Sequence, residues 1–154
     1  MAEKGKRTIY VGPADDANHK PLNIEGLAVA ATAPGTVMKE TASGLEANDI
    51  AATQFGEQLI VADKDQMRSK TVDDNWTINE NMVAIQPRSG EFLNILVATG
   101  QTLIKGDPLS RNGAGLLKKA VTPATVGATS EEIVAYADEA VTTAATELVR
   151  CRIA

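Results

Sequence analysis

Leu148-Val149-Arg150-Cys151-Arg152-Ile153, near the end of the chain, alternates strictly. Val149, Cys151 and Ile153 fall on one side of an extended backbone, Arg150 and Arg152 on the other. Successive side chains of a strand point to opposite faces, so this stretch reads as a strand with one face in a core and one in water. Further apolar runs of strand length stand at Gln58–Ala62, Met82–Ile85, Phe92–Val97 and Glu132–Ala137, each bounded by turn residues. Asn112-Gly113 lies between Leu109 and Leu116-Leu117, and both residues tolerate positive φ, so the spacing predicts a hairpin there. Gly, Pro, Thr and Asn interrupt nearly every i, i+3, i+4 apolar stripe; Leu45 to Phe55 is the longest stretch with any helical reading. The fold class expected is therefore mainly β, a small β-barrel or β-sandwich. Residues 1–21 are polar and charged, with Gly12-Pro13, Asp15-Asp16 and Lys20-Pro21, and read as an extended N-terminal arm. Residues 22–154 read as a single β-rich domain, with 90–154 as its barrel part.

The chain has 154 residues, 44% of them hydrophobic but only 3% aromatic, enough for one domain with a core of small pieces. Ala supplies 24 of the apolar residues. Each buries little area at ~25 cal/mol per Å², so self-association or docking on a partner would supply missing burial. Fifteen basic against 20 acidic side chains leave a net charge of −5, which argues against nucleic acid as partner. The acidity is uneven: residues 40–80 hold nine acidic and three basic side chains, a net −6, so the remainder is +1. No apolar run reaches the ~18 residues of a membrane-spanning helix. The start, Met1 to Arg7, has no apolar stretch behind its basic residues and does not read as a secretion signal. The expectation is a protein made in a reducing cytoplasm, without membrane association.

Chemistry is sparse. Asp15-Asp16, Asp73-Asp74 and Glu131-Glu132 are adjacent pairs, and neighbours on a strand face opposite ways, so none forms an acid–base couple there. The single histidine, His19, sits in the polar arm, which leaves no serine triad. The single cysteine, Cys151, shares a face with Val149 and Ile153 and reads as a core residue; it also excludes an internal disulfide and any multi-cysteine zinc site. No phosphate-cradling glycine loop is present. The sequence thus predicts no catalytic residue, no cofactor-binding residue and no metal ligand. Trp76, the lone tryptophan, has two readings: a loop anchor on the core, or an interface anchor, since Trp is enriched at interface centres.

From Gly90 the order runs strand, Gly100-Gln101-Thr102-Leu103-Ile104-Lys105-Gly106-Asp107-Pro108-Leu109, the Asn-Gly hairpin, a Thr/Pro/Gly-rich loop at 122–130, Ile133 to Ala140 and the terminal strand. This order resembles the small β-barrel of tailed-phage capsid decoration (cement) proteins. There, too, a lys-gly-asp-x-leu strand precedes a Gly hairpin, a val-gly-x-ala-x-glu-ala strand and a terminal val-arg-x-arg strand. The resemblance covers roughly the last 65 residues, about 40% of the chain, with Ala135 where Gly is commonest. It implies a non-enzymatic virion protein on the outer capsid surface, a homotrimer clamping neighbouring major capsid subunits. On that reading the arm orders on the shell and adds a strand to a neighbour's edge. Arg7, Ile9, Tyr10 and Val11, the arm's apolar cluster with a basic neighbour, are the docking residues expected. Two alternatives stand beside it. One is another trimeric β module of a phage virion, in the tail or baseplate. The other is a biotinyl/lipoyl-like carrier, whose hairpin Gly100 to Leu109 also resembles; its modified lysine would sit in a tight turn, whereas Lys118-Lys119 follow the turn here.

Overall fold

The computed structural model describes residues 6–13, 21–122 and 126–154. Among them are thirteen strands and no helix.

The terminal strand β13 (Glu147–Ile153) lies antiparallel on β7 (Phe92–Val97), in register from Glu147↔Val97 to Arg152↔Phe92. Its alternation is as expected: Val149, Cys151 and Ile153 are buried, Arg150 and Arg152 exposed. β9 (Pro108–Arg111) and β10 (Leu117–Lys119) form the hairpin around Asn112-Gly113, whose turn is capped by Asn112 Oδ1 accepting from the Ala114 and Leu116 amides. β10 joins β7 in parallel, while β11 (Ala135–Ala137) bridges β9 to β13. The order β7-β10-β9-β11-β13 thus returns to β7 and closes a five-stranded barrel. A short ribbon, β8 (Thr102–Leu103) with β12 (Val141–Thr142), flanks it.

β7 is buried on both faces from Leu93 to Val97, and the reason is position. Its odd-numbered side chains, Leu93, Ile95 and Val97, belong to the barrel core. On the other face Leu96 lies beside its register partner Leu148, against the Gly35 corner, whose carbonyl accepts from the Leu96 amide at 2.9 Å. A strand covered on both sides needs a continuous apolar run, which Phe92–Val97 nearly is.

That corner belongs to a second, antiparallel sheet in the order β2-β6-β5-β3-β4: Leu22–Leu27, Asn81–Gln86, Ile60–Ala62, Val37–Thr41 and Gly44–Ala47. It curls until its edges meet, with Ala28 bridging Leu45 and the Val29 amide donating to the Leu45 carbonyl at 3.0 Å. Gly44 is the contact point: a Cβ there would stand 2.2 Å from the Leu27 carbonyl oxygen, at a φ of 135°. Inside lie Ala28, Met38, Leu45, Ile60, Ala62, Trp76, Met82 and Ala84. Val37, Val61 and Ile85 of the same sheet join the barrel's core instead, so the two sheets share a packed seam.

The helical reading of Leu45 to Phe55 is corrected. Gly44–Ala47 is β4, and the chain then turns on buried Asn48, whose Oδ1 accepts from the Ile50 amide at 2.9 Å. Without an apolar stripe to bury, a helix there has nothing to hold it, and the Asn side chain supplies the turn instead.

Candidate interaction surfaces

The four residues expected to dock divide two and two. The short strand β1 (Tyr10–Gly12) adds antiparallel to β7, with Tyr10↔Leu93 and Gly12↔Phe92. The Asn94 amide donates to the Ile9 carbonyl at 2.7 Å, and Asn94 Nδ2 to the Thr8 carbonyl at 2.7 Å. Ile9 is fully buried in the barrel's core, and Tyr10 packs against it with its hydroxyl donating to the Pro13 carbonyl. Arg7 and Val11 are exposed. Residues 6–13 are therefore part of this chain's own sheet, and Ile9 is not available to another molecule. Burying Ile9 in water-free packing stabilises the chain by ~1.5–3 kcal/mol, which explains why an apolar pair in a polar segment folds back. The arm's residues 1–5 and 14–20, with Asp15, Asp16 and His19, lie outside the described residues.

Trp76 sits inside the second sheet at 3% exposure. Its Nε1 donates to the Asp63 carbonyl at 2.7 Å, and its backbone bridges Thr32. Of its two readings, the position is that of a loop anchor; the indole presents almost no surface to a partner.

A cleft of about 570 Å³ opens beside the N-terminal segment, lined by Lys6, Arg7, Lys64, Gln66, Ser69 and Lys70 together with Thr71, Val72 and Asp73. Lys64 Nζ donates to the Arg7 carbonyl at 3.0 Å and so ties the N-terminal segment to the 63–74 loop. Lys6 pairs with Glu139 at 2.6 Å, whereas Lys70 reaches Glu80, already taken by Arg68, only at 3.7 Å. The loop is held by its own carboxylates. Asp74 accepts from the Thr71 amide at 2.7 Å and its hydroxyl at 2.9 Å, which hold this carboxyl below its ordinary value. Asp63 is the opposite case: burial pushes its carboxyl up, although the Lys64 amide and Gln66 Nε2 donate to it.

The remaining candidate groups are occupied structurally. Glu131 takes Lys118 and the Ser110 hydroxyl, while neighbouring Glu132 takes buried Arg111, so the pair points to different partners. Burial pushes the Cys151 thiol far above its usual value, which leaves a thiol rather than a nucleophilic thiolate. Among the described residues no cluster of His, Cys, Asp and Glu could hold a metal ion. Among the described residues no helix is long and apolar enough to cross a membrane. Lys118 and Lys119 lie in β10, paired with Glu131 and Asp107, and the Asn112-Gly113 turn holds no lysine.

No protein-family model matches the chain, and no curated protein matches it. Among solved structures, the N base of the head fibre protein gp8.5 of bacteriophage phi29 is similar, with a TM-score of 0.52 at 12% identity. The similarity covers 88% of this chain and 95% of that one, so it spans both sheets and not the terminal barrel alone. At that identity the likeness is one of fold.

Proposed function

We propose that this chain is a structural protein of a phage virion that binds the outer surface of the capsid as a homotrimer. There it clamps neighbouring major capsid subunits and has no enzymatic role. The observation carrying this reading is the fold shared, over nearly the whole of both chains, with the base of a phage head fibre. A head component favours the capsid over the tail or baseplate alternative, and the carrier reading lacks a lysine at its hairpin turn. Trimerisation draws support from apolar side chains left in water, among them Leu22, Leu27, Phe55 and Ile104 at 43–63% exposure. Covering them offsets the ordering cost of association.

Docking proceeds through the N-terminal segment, with Arg7 and Val11 as the contacting side chains. Ile9 and Tyr10 hold that segment on the barrel. Mixing the purified chain with stripped phage heads and sedimenting them tests this. The expected result is saturation at many copies per head, from a protein whose mass by light scattering is three times 16.2 kDa. Binding of only a few copies would favour a tail or baseplate part, and no binding would overturn the reading.

A further inference from the structure

We infer that the cleft between residues 6–7 and the 63–74 loop is a seat for an acidic segment of the shell protein. This inference rests on the docking reading above and names the chemistry of its partner. Four cations, Lys6, Arg7, Lys64 and Lys70, converge on one cleft in a chain whose net charge is −5. Most cations of the described residues are spent on the chain's own carboxylates: Lys39 on Glu46 and Asp49, Lys118 on Glu131, Lys119 on Asp107, Arg150 on Asp138. In the cleft only Lys6 keeps a close pair of this kind, with Glu139 at 2.6 Å. Arg7 has no carboxylate partner among the described residues, and Lys64 spends its ammonium on a backbone carbonyl. Lys70 shares Glu80 with Arg68 at long range, and Asp73 is the one carboxylate in the lining.

Holding like charges side by side costs the free protein stability, and an incoming carboxylate reverses that cost. The volume, about 570 Å³, accommodates a short segment rather than a single ion. Nucleic acid fits poorly: the lining has no aromatic side chain for a base to stack on, and the whole chain repels phosphate. A second copy of this chain would have to offer exposed carboxylates such as Glu40, Glu57 or Asp73, which stand apart in the sequence rather than as one acidic segment. An acidic segment of a different polypeptide matches the cleft's charge better, and the cleft adjoins Arg7 of the docking segment.

The test compares the full chain with R7E/K64E, with the neutral R7Q/K64Q, and with R88E, which makes a single charge reversal at an exposed arginine outside the cleft. Two probes are used, a fluorescein-labelled hexaglutamate peptide read by anisotropy and stripped phage heads read by co-sedimentation. Thermal melts check that each variant folds. The expected result is peptide binding weakened about tenfold or more in R7E/K64E, less in R7Q/K64Q and little in R88E, and suppressed by 0.5 M salt. Head binding should fall in the same order. If both R7 variants sediment with heads like the wild type, the cleft inference is overturned while the docking reading stands. If the wild type binds hexaglutamate through the cleft but not heads, the docking reading falls and the shell as partner falls with it. If R7E/K64E instead lowers the protein's own molar mass, the cleft seats another copy and the shell assignment is wrong.

Discussion

The barrel and the second sheet are built from different materials. The barrel core is branched aliphatic, with Leu93, Ile95, Val97, Leu109, Leu117, Val149 and Ile153 locked by a six-residue β7–β13 ladder. The second core is Ala28, Ala62 and Ala84 around Met38, Met82, Leu45, Ile60 and one tryptophan. Small side chains bury little area each, so the second sheet depends on a few large pieces and on backbones approaching closely at Gly35 and Gly44. Stability spread over many equivalent contacts tolerates the loss of one; stability concentrated in a few does not.

Trp76→Ala is the sharpest test of that contrast. It should cost about 3–5 kcal/mol in urea unfolding, and amide exchange should rise across residues 22–86 before it rises in β7 and β13. Uniform loss of protection would show that the shared seam makes one cooperative unit and would break the comparison. Gly35→Ala attacks the seam itself, since the new Cβ would stand 2.4 Å from Leu148 Cδ2 at a φ of 88°. A cost of about 1–3 kcal/mol is expected, felt in both sheets, and a neutral melt would mean that Leu148 yields without consequence.

Acid should act with opposite sign on two carboxyls, one in each region. In the second sheet, Asp63 has a carboxyl raised by burial, so its contribution is present below about pH 3.8 and is lost as pH rises through the folded value. In the barrel, Asp107 is held low by Lys119 and the Ile104 amide, so its contribution is present above about pH 3.8 and is lost as pH falls through the folded value. Asp107→Asn should therefore shrink the loss of stability between neutral pH and pH 3, whereas Asp63→Asn should enlarge it, as read by urea unfolding at the two pH values. Equal changes in the two variants would remove the distinction. The smallest effect belongs to Lys105→Ala, whose side chain is 74% exposed beside Asp138. It should shift stability by well under ~1 kcal/mol; a larger loss would mean the surface pair braces the barrel.

The same contrast decides how much was legible. Alternation along Leu148–Ile153 is a local property, and so are the Asn112-Gly113 turn and the apolar run Phe92–Val97; all three became β13, the β9–β10 hairpin and β7. The second sheet carries weaker local signals, because Ala is neutral in pattern and Gly44 matters only through the Leu27 carbonyl it meets. Leu45 to Phe55 carries no local sign of β4 or of the Asn48 turn for that reason. Of the candidate site, Arg7 and Val11 stand on the surface, while Ile9, in a polar segment, gave no local sign that β7 would receive it.

What the sequence by itself determined is the strand period, the hairpin, the inward-facing Cys151 and the uneven charge, each written in neighbours a few residues apart. Only the tertiary structure decided which edges close, that Ile9 and Trp76 lie inside, and that Lys6 and Arg7 meet Lys64 and Lys70 across one cleft. Burial and the meeting of charges depend on segments more than 50 residues apart, as in the Arg7–Lys64 contact, and no local pattern encodes such a distance.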